Sequence, residues 1–158
     1  MPLEIGSELP SLEGATEWFN ATAAAAAEEA KGHPVLVHFW SVSSAPSVEG
    51  LPRVAELRKR HAAQGLKVIA VHLPTQPDDE DPESVRDAVT TRRVEEPCAV
   101  DNQYRLRDAF RVGEAEVPSY YLFDAAGRLR AIGAGGRGLE SVSAELEGVL
   151  APNGGSQE

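Results

Sequence analysis

A single cysteine, Cys98, stands in a chain of 158 residues. That scarcity excludes an internal disulfide and a structural zinc site of the two-cysteine type. Basic residues are also in deficit. Fifteen Lys and Arg face 25 Asp and Glu, leaving a net charge of −10. Nucleic acid and anionic membrane surfaces repel such a chain, and no basic stretch with interleaved aromatics offsets the repulsion. No apolar run approaches the ~18–20 residues needed to span a bilayer. The N-terminus lacks the positive and apolar regions of a secretory signal, so a cytoplasmic location without a membrane segment is expected. The four histidines, His33, His38, His61 and His72, have no metal-ligand spacing. The acidic run 78–81 lacks the downstream portion of a calcium loop and reads as a solvated loop. The glycines at 133–138 lack the strand–turn–helix context of a dinucleotide site. No metal and no organic cofactor are therefore expected, and no feature specifies an oligomeric state.

What is present is the balance of an ordinary globular domain, 42% hydrophobic and 25% charged. Residues 1–20 read as irregular, with Trp18 and Phe19 docking on the core. The alanine-rich run 21–31 has very high helix propensity. Val35, Leu36, Val37, His38, Phe39 and Trp40 form a continuous apolar strand, the pattern of a strand covered on both faces. A small-residue loop follows, then a helix over about 47–64, interrupted or kinked by Pro52 and ended by Gly65. A second buried strand spans 66–73. Asp81, Pro82 and Glu83 start a helix that runs to about 93. A short strand at 97–100 and a short helix capped by Asp101 or Asn102 come next. Strands at 118–124 and 128–134 form a hairpin, and a final helix covers 139–150. The order βαβα(βα)ββα demands parallel strands first and antiparallel strands later. One mixed α/β sheet with helices on both faces satisfies both.

Specific residues then narrow the reading. Phe39-Trp40-Ser41-Val42-Ser43-Ser44-Ala45-Pro46-Ser47 resembles the F-W-x-x-x-C-x-x-C segment of TlpA-like thiol-disulfide oxidoreductases, which have the thioredoxin-like fold. Ser44 and Ser47 fall on the two redox cysteines. Pro52 falls on the proline that kinks the following helix. Val117-Pro118 and Asp124 fall on the segment whose proline is cis in that family, and Gly127 fits its turn. The stretches 68–73, 81–86 and 101–104 are similar to thioredoxin-like domains found beside NHL repeats. The resemblance covers roughly residues 33–150. It implies an N-terminal extension at 1–32 with the alanine-rich helix, a thioredoxin-like domain at 33–150 and a loose tail at 151–158.

In that family a helix N-terminus lowers a cysteine pKa, the thiolate attacks a substrate disulfide, and the second cysteine resolves the mixed disulfide. The resemblance therefore implies a protein or peptide thiol/disulfide substrate and a reductase partner. Serine oxygen forms no mixed disulfide, so the chain as written is expected to be redox-inactive. The serines record either a natural loss or an engineered Cys→Ser change. The alternative function is a non-catalytic module that binds peptides or proteins. Taken alone, Ser44 and Ser47 would read as helix caps. No triad or nucleophile elbow supports serine hydrolysis, and Cys98 is not where a peroxidatic cysteine would lie, near Ser44. His38 stands at the family's buried aspartate and Gly50 at a frequent glutamate. His38 reads either as an acid–base group or as a strand histidine satisfied by hydrogen bonds. Trp40, Ala45, Pro46, Val117 and Pro118 read either as an apolar peptide-binding patch or as core and turn packing. Cys98 reads as a small buried core residue.

Overall fold

The structure is a computed structural model that describes residues 3–112 and 117–150. The expected tail at 151–158 and Glu116 lie outside the described residues. The strands are β1 (Glu17–Phe19), β2 (Val35–Trp40), β3 (Lys67–His72), β4 (Cys98–Val100), β5 (Ser119–Phe123) and β6 (Leu129–Ala134). The helices are α1 (Ala23–Ala30), α2 (Ala45–His61), α3 (Pro82–Thr91), α4 (Arg105–Phe110) and α5 (Gly138–Ser143). The strands form one sheet in the order β1-β4-β3-β2-β5-β6. β2 and β3 pair in parallel, as do β3 and β4, while β5 runs antiparallel to both β2 and β6. This is the mixed, doubly covered α/β sheet of a thioredoxin-like fold.

β2 sits in the middle, and all six of its residues are buried. Alternation sends Val35, Val37 and Phe39 to one face, where they join Ile69, Val71, Phe110 and Phe123. Phe39, Phe110, Tyr121 and Phe123 meet edge to face there, with ring centroids 5.2–6.1 Å apart. Each such pair adds about 0.5–1.5 kcal/mol beyond its area. Leu36 and Trp40 go to the opposite face, under α2 and α3, with Val54, Leu57 and Leu51.

Four expectations change. The segment 1–20 is not wholly irregular. Gly6 and Leu9 donate backbone hydrogen bonds to Leu129 and Gly127, Leu12 is buried in the first core, and β1 pairs with β4. The segment thus packs on the first core, bonds to the start of β6 and supplies the outer strand beside β4. α1 begins at Ala23 because the Thr22 hydroxyl accepts from the Ala25 N–H and caps it there. α2 runs through Pro52 without a break, which excludes the interruption of the two expected outcomes. The final helix ends at Ser143 and resumes as a 3₁₀ turn at Leu146–Gly148, in a stretch with two serines and a glycine of low helix propensity. Leu139, Val142, Leu146 and Val149 stay buried across the interruption, so the apolar spacing reads as one helix.

β6 and α5 approach most closely at two glycines. A Cβ on Gly133 would lie 2.1 Å from the Gly138 carbonyl oxygen, and backbone cannot swing aside as a side chain can. Gly133→Ala is expected to destabilise the fold by about 1–3 kcal/mol, the usual cost of overpacking, as measured by urea unfolding.

Candidate functional site

β2 ends at Trp40 and delivers the serine-rich loop to the start of α2. Ser44 is the N-cap of that helix, three residues earlier than a start at Ser47. Its Oγ accepts from the Ser47 N–H at 3.3 Å and donates to the Val117 carbonyl at 3.4 Å. Its own N–H donates to the Ser41 carbonyl, and its carbonyl accepts from Val48. The capping role and the motif position thus fall on one residue. Ser47 is 2% exposed, and its Oγ has no hydrogen-bond partner among the described residues. Ala45 and Pro46 are exposed, Val117 is half-buried and Pro118 is buried. The Val117–Pro118 peptide is cis. Ser44, Ser47 and Val117 therefore meet, with Ala45 and Pro46 forming the outer rim. Trp40 is 0% exposed, which corrects its expected place in a surface patch. It supports the loop from below, because alternation on β2 turns it under α2 and α3.

The acidic run is also corrected. Asp79 is not solvated; it is 2% exposed within the 3₁₀ turn Pro77–Glu80. Its carboxylate accepts from the hydroxyls of Ser41 (3.1 Å), Ser43 and Thr75 (3.1 Å) and from the Thr75 N–H (2.9 Å). Burial pushes its pKa up. The hydrogen bonds from Ser43, Thr75 and Ser41 outweigh that and hold the carboxyl below the usual range. Asp79 thus ties the β3–α3 connection to the loop that carries Ser44. His72, on β3, is buried against Trp40 with ring centroids 5.0 Å apart. Its Nε2 accepts from the Val42 N–H at 3.2 Å, which places the proton of the neutral ring on Nδ1, an atom without a partner among the described residues. Burial drives its pKa down to about 4 against the opposing field of Asp79.

His38 is hydrogen-bonded to a carboxylate rather than to a serine. Its Nε2 lies 2.7 Å from Glu96 Oε2, and its ring stacks on Tyr120. Burial raises the Glu96 pKa, but the His38 hydrogen bond and charge, the Glu96 N–H and the Arg58 guanidinium bring it below the ordinary value. Arg58 Nε stands 3.8 Å from the other Glu96 oxygen. Since Ser47 Oγ has no partner, no serine–histidine pair exists to activate it. The geometry matches the hydrogen-bonded strand histidine of the two readings. Gly50 has its own reason: a Cβ there would sit 2.9 Å from the Tyr120 hydroxyl, which fills the space a side chain would need. Cys98 is buried, and burial pushes its thiol up to about 12, so it is an inert core residue. Asp79, Glu96 and His72 carried no sequence signal as site residues, because each reaches the site from a different strand or loop at no fixed spacing. Among the described residues no group of three or more His, Cys, Asp or Glu could hold a metal ion. No described helix is long and apolar enough to cross a membrane.

Residues 5–132 match the AhpC/TSA family. The thiol-disulfide oxidoreductase YkuV of Bacillus subtilis (strain 168) is 35% identical over 150 residues, covering 94% of this chain and 98% of that protein. The thiol-disulfide oxidoreductase ResA of Geobacillus kaustophilus is 25% identical over 119 residues, 75% of this chain and 64% of that protein. A solution structure of a thioredoxin-like protein in its oxidized form superposes with a TM-score of 0.81 at 33% identity, over 93% of this chain and 97% of that one. A thiol-disulfide isomerase from Corynebacterium glutamicum shares the fold with a TM-score of 0.76 at 21% identity, over 93% and 96% of the two chains.

The neutral, buried state of His72 has a consequence for acid stability. An exposed histidine in the unfolded chain takes its proton near 6.5, the folded one only at about 4. Between those values the unfolded chain binds more protons, so stability must fall as pH falls. The loss across the window is about 3 kcal/mol for a single group shifted this far. Urea unfolding at pH 7 and pH 4 is expected to show that slope, and His72→Gln is expected to flatten it.

Proposed function

The chain belongs to the AhpC/TSA family, among its thioredoxin-like thiol-disulfide oxidoreductases, and from that membership we propose that it is a redox-inactive member in which Ser44 and Ser47 stand at the two redox cysteine positions. One observation carries this reading. Ser44 caps α2 and simultaneously hydrogen-bonds the residue before the cis proline, so it occupies the corner where a nucleophilic sulfur would meet both the helix N-terminus and the Val117–Pro118 segment. Ser47, buried one turn later, lies where a resolving sulfur would stand.

The chemistry follows from the atoms. Disulfide exchange needs a thiolate that attacks sulfur and is itself displaced. A serine hydroxyl remains protonated at neutral pH, among the described residues no base is bonded to either one, and a sulfur–oxygen link is not a disulfide. The chain as written then holds a substrate without exchanging it. Ala45, Pro46 and Val117 supply the apolar surface for an extended protein or peptide segment carrying thiols or a disulfide, and Pro118 supports it from behind. His38 has a supporting role here, bonded to Glu96 beneath α2. A reductase would serve as the electron source once the thiols were present. Family membership favours this reading over a free-standing binding module, for which no separate observation speaks.

The double variant Ser44→Cys/Ser47→Cys is expected to catalyse insulin reduction by dithiothreitol, while the chain as written leaves the rate at background. A folded double variant with no activity would overturn the assignment of these two positions.

A further inference from the structure

Between α2 and the connection that follows α3 lies a cavity of about 420 Å³, within the range of small-molecule sites. Its charge is unlike that of the chain. The net charge is −10, yet Arg58, Lys59, Arg92 and Arg93 all line this one cavity. Its two carboxylates are already neutralised. Glu56 accepts from Arg60 at 2.9 Å, and Glu95 accepts from Arg58 at 3.3 Å. Lys59, Arg92 and Arg93 are exposed and form no ion pair among the described residues. Like charges set together repel, and an anion placed between them reverses the sign of the interaction.

The backbone supplies an independent observation. The chain leaves α3 through a left-handed residue, Arg93, at φ 58°. The Arg93 N–H donates to the Thr90 carbonyl and the Val94 N–H to the Val89 carbonyl. Those two bonds define a helix end whose left-handed position is usually glycine. A side chain there costs strain that glycine avoids. The chain thus sets a guanidinium in the cavity wall at a position where stability alone favours no side chain. The same bonds, with the Arg92 N–H on the Ala88 carbonyl, occupy the last carbonyls of α3 and mute its negative end beside the cations.

We propose that this cavity binds a phosphomonoester, a small organic molecule carrying a phosphate dianion. Lys59, Arg92 and Arg93 hold the phosphate, and Pro52 and Ala55 offer apolar surface to the organic body. Phosphate follows from the charge and shape of the donors. Three cations match a dianion better than a single charge, and guanidinium forks match phosphate oxygens two at a time. A small molecule follows from the size of the cavity, because a polyanion long enough to leave it meets the acidic remainder of the chain. The site is separate from the serines: none of Ser44, Ser47, Val117 and Pro118 lines it. It therefore stands independently of the function proposed above.

The test is a calorimetric titration with phenyl phosphate at about pH 7.5, where a phosphomonoester is a dianion. Saturable binding is expected. Benzenesulfonate, with the same ring and a single charge, is expected to bind at least about tenfold more weakly. Inorganic phosphate, which lacks the ring, is expected to bind more weakly than phenyl phosphate. Amide NMR shifts are expected at residues 58–59 and 92–95 rather than at Ser44. Arg93→Gly removes the guanidinium and gives the turn its preferred residue. It is expected to lower the affinity at least about tenfold while the urea midpoint holds or rises. Lys59→Gln, on an exposed helix surface, is expected to weaken binding in the same direction. No saturable binding, equal binding of benzenesulfonate or of inorganic phosphate, shifts centred on Ser44, or full affinity in both variants overturns the proposal.

Discussion

Hydrogen bonding of β2 along both its edges is the constraint on which the rest of the structure depends. Parallel pairing with β3 sets Trp40 beside His72, and antiparallel pairing with β5 sets Phe39 beside Ser119. The first pairing brings the β3–α3 connection, and with it Asp79, over the loop after β2. The second brings the Val117–Pro118 segment to the same place. A one-residue slip of β2 would send Leu36, His38 and Trp40 to the wrong face and separate both partners from Ser44. The site is therefore fixed by sheet register before any local interaction is counted.

Local polar bonds then determine how rigidly the loop is held. A buried carboxylate left without partners is costly, whereas one that accepts several hydrogen bonds is tolerated and specifies its donors' positions. Asp79 is of the second kind: its carboxylate accepts from Ser41, Ser43 and Thr75, so carboxylate and hydroxyls satisfy one another. Beneath α2 the His38–Glu96 pair follows the same rule, with Arg58 closing its outer side. A buried pair is weak evidence for net stability, because desolvation offsets much of the attraction. Its clearer effect is geometric, since it holds the His38 ring against Tyr120, whose hydroxyl in turn fills the space over Gly50.

The legible part of the molecule was whatever local periodicity or a contiguous motif encodes. The buried strands β2 and β3, the Asp81-Pro82 start of α3 and the Asp124–Gly127 turn are all written in adjacent residues. So is the serine motif, because strand end, loop and helix start are consecutive. The illegible part depends on residues distant in sequence. Asp79 lies among three other acidic residues, and nothing in that run marks the one that turns inward. Glu96 is 58 residues from His38, and β1 is a three-residue strand that exists only because β4 offers an edge. Trp40 takes the core alternative of its two readings for a related reason. A motif places a residue along the chain, while the face it takes is set by the helices that later cover the sheet.

Ser44 joins these levels, and its two roles need different things from one oxygen. A cap needs an acceptor for the Ser47 N–H, and serine oxygen serves well, so the fold tolerates serine there with no rearrangement. The reaction of the family needs a sulfur that gives up its proton under the field of the helix, and oxygen does not. The structure around position 44 is common to both: a helix N-terminus, a committed carboxylate at Asp79 and a carbonyl from Val117 beside a cis proline. On the function proposed above, oxygen in place of sulfur removes the covalent step and leaves the cap, the Asp79 contacts and the Val117 carbonyl as they stand.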